Sequence, residues 1–143
     1  PNFLEAQALV ELLQEEFPSV EAYMSFTAQN GTTISDGTAI EEVAELIDKA
    51  SQILALGINC SSPSVYSSLL KKVADITDKP LVTYPNSGEV YDGQHQMWTQ
   101  SADLSHTLLE NTKIWHTFGA KVVGGCCRTR PNDIESLSRG LRE

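Results

Sequence analysis

The run "QILALGIN" (residues 52–59) constrains the fold more than any other stretch of this chain. Its apolar residues are continuous rather than alternating, so a strand here must be covered on both faces, as parallel strands are. Parallel neighbours cannot be joined by a tight hairpin and need a crossover, usually a helix. The flanking sequence supplies one on each side. Before the run, "TAIEEVAELIDKA" carries Ile40, Val43, Ala44 and Ile47 on one helical stripe, with Thr38 and Glu41 spaced as a capping box. After it, Ser62 and Pro63 stand where an N-cap and a first helical residue belong, ahead of Val65, Leu69, Val73 and Ile76.

The same alternation covers the rest of the chain. "NFLEAQALVELLQEEF" places Ala6, Val10, Leu13 and Phe17 at helical spacing, opened by Asn2 and Glu5 as a capping pair. "AYMSFT", "KPLVTYPN" and "AKVVGG" read as three further strands. The polar segment "SGEVYDGQHQMWTQSAD" reads as a long loop leading into a helix with Leu104, Leu108, Trp115 and Phe118, ended by Gly119, and Pro131 opens a last short helix. Four strands alternating with helices define repeated βα units and a parallel sheet. Either a doubly wound open sheet or part of a (β/α)₈ barrel fits. A whole barrel takes about 250 residues, so 143 residues would make about half of one.

Charge narrows the partners. A net charge of -9 argues against a nucleic-acid backbone, which needs a basic face. No run reaches the roughly 18 apolar residues of a membrane span, and no basic-then-apolar leader is seen. The 3 cysteines are an odd set, a poor fit to a secreted disulfide framework. Metal ligands or reactive thiols in a reducing cytoplasm are the expectation.

The candidate chemistry falls at the C-terminal ends of the expected strands, the face on which α/β barrels build their sites. Asn59 and Cys60 end the second strand, "YPNSGE" the third, and Cys126 and Cys127 the fourth. Adjacent cysteines rarely pair with each other, because the ring is strained. Three thiolates can make a catalytic zinc site with one position open. Gly124 and Gly125 would let the backbone twist so that two consecutive sulfurs meet one ion. Buried inert cysteines, or a vicinal redox pair, remain open on the residues alone. His95, His106 and His116 lie away from strand ends and read as surface or packing residues, as does Trp115; Trp98 could line a loop site. Glu15 and Glu16 read as a solvated face.

"GINC", "YPNSGEVYDG" and "GGCCRTRPNDI", in this order, together with Ser25, Phe26 and the Asp36, Gly37 and Thr38 of "SDGT", resemble the homocysteine S-methyltransferase family over essentially the whole chain. The similarity is to the branch using S-methylmethionine or S-adenosylmethionine. It implies the C-terminal half of a (β/α)₈ TIM barrel at residues 1–143, with Cys60, Cys126 and Cys127 as ligands of Zn²⁺. It further implies Asn59, Asn86, Ser87, Glu89, Ser25 and Phe26 as substrate contacts, Glu89 near the donor's cation. The implied reaction is methyl transfer from the sulfonium to homocysteine, giving methionine, in the cytoplasm. A free thiol is mostly protonated at neutral pH, and zinc favours the thiolate. The donor leaves as a neutral thioether, so it needs no general acid.

Two departures from the family pattern matter. Its Asp-Gly turn after the first strand and its Glu-Thr pair after the fourth, which help hold the amino acid, are not in this sequence. Arg130 stands where a capping threonine is common, and arginine is a poor N-cap. Without those elements, the isolated chain is expected to be inactive and to associate with the N-terminal half or a second copy. Alternatives are a related thiol methyltransferase using betaine or a methylated pterin, and a non-catalytic zinc-binding domain.

Overall fold

Helix α1 (Phe3–Glu16) begins at Asn2, whose side chain accepts the Glu5 N–H while Glu5 accepts the Asn2 N–H, so the first capping box forms as the sequence predicts. Then come β1 (Ala22–Phe26), α2 (Ile40–Lys49), β2 (Ile53–Asn59), α3 (Pro63–Ala74) and β3 (Leu81–Tyr84). They are followed by β4 (Val90–Asp92), β5 (Met97–Thr99), α4 (Leu108–His116), β6 (Ala120–Val123) and α5 (Pro131–Gly140). The computed structural model describes residues 1–99 and 106–142, apart from the side chains of Val90, Tyr91 and Trp98. The expected helical position Leu104 and the side-chain role of Trp98 lie outside the described residues.

The four expected strands form one parallel sheet in the order β1-β2-β3-β6. Strand alternation sorts their residues onto two faces. Met24 and Phe26 of β1 lie beside Leu56 and Ile58 of β2, on the face covered by the helices. Ile40, Val43, Ala44 and Ile47 of α2, with Leu69, Leu70 and Val73 of α3, complete that core. Trp115 of α4 is fully buried and stacks on Tyr66 at a ring separation of 4.7 Å, a packing role as expected. On the opposite face stand Tyr23, Ala55, Val82 and Val122, lining an open apolar hollow.

Two local expectations need correction. Thr38 does not cap α2. Its carbonyl accepts the Ile34 N–H at 2.9 Å, and Thr33 bridges Ala39, so the backbone stays extended to Ala39 and the helix starts at Ile40. Glu41, freed from capping, pairs with Lys72 of α3. Ser62 and Pro63 do take the N-cap and first helical position of α3, with the Ser62 hydroxyl bonded to that of Ser64. The long polar loop contains the antiparallel hairpin β4–β5, which its composition hid.

Arg130 occupies the N-cap of α5 without a side-chain cap bond. Asp133 accepts the Arg130 N–H at 2.7 Å, and Pro131 starts the helix without an N–H to satisfy. The departure is absorbed locally.

Candidate metal centre

The C-terminal ends of β2, β3 and β6 are laced together beyond the last ladder residues. The Cys60 N–H donates to the Tyr84 carbonyl at 3.0 Å, and the Gly124 N–H to that of Thr83 at 2.9 Å. The loop after β3 then lies between the two cysteine segments. Asn86 N–H bonds the Ser61 carbonyl at 3.1 Å, Cys126 N–H that of Pro85 at 2.7 Å, and Ser87 N–H that of Cys127 at 3.0 Å. Three separate strand ends become one rigid rim.

Local backbone then aims the sulfurs. Cys60 has φ 46°, a left-handed conformation uncommon for a residue with a Cβ. At Gly125 a Cβ would stand 2.3 Å from the Thr129 hydroxyl, so only glycine lets Thr129 fold over the turn. From there Thr129 Oγ1 donates to the Cys126 carbonyl at 2.5 Å. The outcome is that the Sγ atoms of Cys60, Cys126 and Cys127 all lie within 4.8 Å of one another. Cys60 and Cys127 are 3.3 Å apart, and Cys126 and Cys127 are 4.0 Å apart. Tetrahedral coordination with metal–sulfur bonds of ~2.3 Å puts sulfurs roughly 3.8 Å apart. The trio fits such an ion.

Its electrostatics point the same way. Hydrogen bonding from Cys126 holds the Cys60 thiol below its ordinary range, while burial, reinforced by Cys60, pushes Cys126 up to about 12. Cys60 and Cys126 therefore resist ionising together. A divalent cation would offset their repulsion and let all three ionise.

The other expected site residues divide. Ser25 and Asn59 meet across β1 and β2, with Ser25 Oγ donating to Asn59 Oδ1 at 2.7 Å. Gly57 makes room for this pair, since a Cβ there would fall 2.6 Å from Ser25 Oγ. Asn86 uses Oδ1 to accept the Gly88 N–H at 2.9 Å, shaping the loop turn. Together Asn86 and Ser87 also line a cavity of about 370 Å³ beside Leu108, Glu110, Asn111 and Asp133. Glu89 meets its cation within the chain: Arg128 Nε donates to Oε2 at 2.5 Å and Nη2 to Oε1 at 3.4 Å. That pairing holds the Glu89 carboxyl below its usual range. Phe26 is corrected. It is fully buried against the helices, the opposite face from Ser25, and has no surface left for a ligand.

Arg128 is the residue that sequence reasoning missed. It stands beside the cysteine pair, but its partner is 39 positions away and no local spacing rule connects them. His106, expected on the helix, instead precedes α4 and lines the same cavity as Asn86 and Ser87. His95 bonds Asp92 and His116 the Ala120 carbonyl, and among the described residues no histidine joins the thiol group.

Fold and site together define part of an α/β barrel that carries a three-thiol, metal-capable centre at its C-terminal mouth. The homocysteine S-methyltransferase family profile matches residues 1–141, and the chain belongs to that family. It is 44% identical to homocysteine S-methyltransferase 1 of Arabidopsis thaliana, over 99% of this chain and 44% of that protein. With YbgG, a homocysteine S-methyltransferase of Bacillus subtilis, it shares 41% identity over 99% of this chain and 44% of the relative. The metallated form of the homocysteine methyltransferase MmuM from Escherichia coli superposes with TM-score 0.78 and 36% identity, covering 100% of this chain and 42% of that one. The chain thus spans less than half the length of these relatives.

Proposed function

We propose that this chain supplies the thiol-bearing C-terminal half of a homocysteine S-methyltransferase barrel, with Cys60, Cys126 and Cys127 holding Zn²⁺. The observation that carries the reading is the convergence of the three sulfurs from the ends of β2 and β6. Zinc in that position would lower the pKa of an acceptor thiol and so supply a nucleophile at neutral pH. The reaction joins the homocysteine sulfur to the methyl carbon of a sulfonium and breaks the donor's carbon–sulfur bond. The donor's positive charge is discharged as a neutral thioether, and the acceptor's proton goes to solvent.

The chain's own residues shape the mouth for this. Ser25 and Asn59 present a hydrogen-bonding pair on the barrel-side face, below the thiols in strand register. Asn86 and Ser87 set the loop between the cysteine segments. We assign the donor as S-methylmethionine or S-adenosylmethionine, the product as methionine, and the setting as the cytoplasm. A relative at 38% identity is a selenocysteine methyltransferase of Astragalus bisulcatus, which favours a second reading of the acceptor as a selenol.

The test is a turnover assay on the parent barrel, or on this chain joined to the N-terminal half of a relative. S-methylmethionine, S-adenosylmethionine, betaine and a methylated pterin would be compared with homocysteine and with selenocysteine. Turnover with a sulfonium and homocysteine is expected, and it should vanish on chelation and return with zinc. Turnover confined to betaine or the pterin would overturn the donor assignment. Full turnover in a zinc-free preparation would overturn the metal's role, and zinc binding without any turnover would make this a structural domain.

A further inference from the structure

The geometry points to Arg128 as a positioning residue that acts through Glu89 to pin the Pro85–Glu89 loop against Cys127 and so hold the metal centre in its binding shape. The inference rests on the metal reading above, and it begins from an imbalance among the three thiols. Cys127 is the exposed one, whereas Cys60 and Cys126 are half-buried. Packing alone restrains Cys127 least.

Two features compensate. The Cys127 carbonyl accepts the Ser87 N–H at 3.0 Å, so the loop after β3 ties down its backbone. Immediately beyond, Arg128 has φ 67°, a left-handed conformation that non-glycine residues seldom adopt without outside support. The support visible here is its side chain. The guanidinium reaches Glu89 through two N–H groups, and Ser87 Oγ donates to the same Glu89 Oε2 at 3.3 Å. Loop and turn are therefore joined at both ends of Ser87: through its backbone to Cys127, and through its hydroxyl and Glu89 to Arg128.

An arginine fork suits this task better than lysine, because its planar donors fix direction as well as distance. The arrangement also explains why a carboxylate so near the mouth is not free for a cationic ligand: Arg128 already meets its charge. Groups that orient a metal's ligands typically change metal affinity 10- to 100-fold when removed.

Two measurements on the 143-residue chain test this. The first is zinc affinity by competition with a chromophoric chelator, with cobalt(II) spectra reporting the number of thiolates. Arg128→Ala and Glu89→Gln should each weaken zinc about 10-fold or more. The double variant should be no weaker than either, and Arg128→Lys should recover only part of the loss. The second needs no metal: amide exchange in the metal-free chain should quicken at Ser87 and Cys126 in Arg128→Ala and remain slow in the β2 core. Unchanged affinity and unchanged exchange in Arg128→Ala would overturn the proposal, as would additive losses in the double variant. A chain that takes up no zinc, yet frees the Ser87 amide in Arg128→Ala, would leave the clamp standing and refute the metal reading instead.

Discussion

The two faces of the parallel sheet end in opposite conditions. On the helix side, Phe26, Leu56, Ile58 and Leu81 are sealed by α2, α3 and α4. On the other side, Tyr23 is 58% and Val122 55% exposed, around a hollow of about 320 Å³. The thiol centre sits at the rim of this second, uncovered face, yet all three sulfurs come from this chain. The convergence of the thiols therefore does not depend on a closed barrel. The three sulfurs are brought together by backbone turns within the chain, whereas the inner face is left without cover by the described residues.

The comparison breaks most sharply at the thiols. Cys126→Ser should abolish stoichiometric zinc binding and leave the helix-side core folded, as metal analysis beside far-UV circular dichroism would register. Full zinc occupancy in that variant would show that the centre is not the three-cysteine set. The next largest effect concerns the faces themselves. Phe26→Ala should cost about 3–5 kcal/mol, as deletion of a buried aromatic does. Tyr23→Ala should fall within about 0.5 kcal/mol in the isolated chain, as exposed sites do. Equal losses in urea denaturation would mean that the inner face is already covered.

Self-association sharpens the same contrast. Exposed apolar patches of this kind mark interaction surfaces. The isolated chain should sediment as more than a monomer, and Tyr23→Ser with Val122→Ser should shift it toward the monomer by about 10-fold in dissociation constant. A wild-type chain that remains monomeric at high concentration would count against an unfinished barrel face.

The smallest effect is a pH dependence at the rim. The hydrogen bond from Arg128 is the main cause of the lowered Glu89 pKa. A carboxyl whose pKa is lowered on folding contributes its stabilisation above the unfolded value, and loses it as pH falls through the lowered folded value. Order in the loop after β3 should thus hold at neutral pH and fade below the ordinary 4.5, with the helix core unaffected. Amide exchange followed across that range would check it. Fading on the alkaline side instead would reverse the assignment.

Much of this was legible in the sequence because nearest-neighbour physics wrote it there. The continuous apolar run of β2, the helical stripe of α2 and the Asn2–Glu5 cap depend on residues within a turn or a strand of one another. Thr38 shows the limit. Its spacing to Glu41 matches a capping box, but the Ile34 N–H claims its carbonyl and a bridge keeps the chain extended. Phe26 shows another, since the motif that includes it cannot tell which of two adjacent residues turns towards the helices. The β4–β5 hairpin was hidden because its strands are only 3 residues each, within a polar segment.

The sequence by itself therefore determined the alternation of helices and strands, the parallel sheet, and the placement of three thiols at strand ends. Those follow from periodicity and from the position of cysteines after apolar runs. Only the tertiary structure decided that Cys60 meets Cys127 at 3.3 Å across 67 positions, that Ser25 bonds Asn59, and that Glu89 belongs to Arg128. Such pairs are set by the register of non-adjacent segments and by left-handed turns at Cys60 and Arg128, which no local pattern encodes.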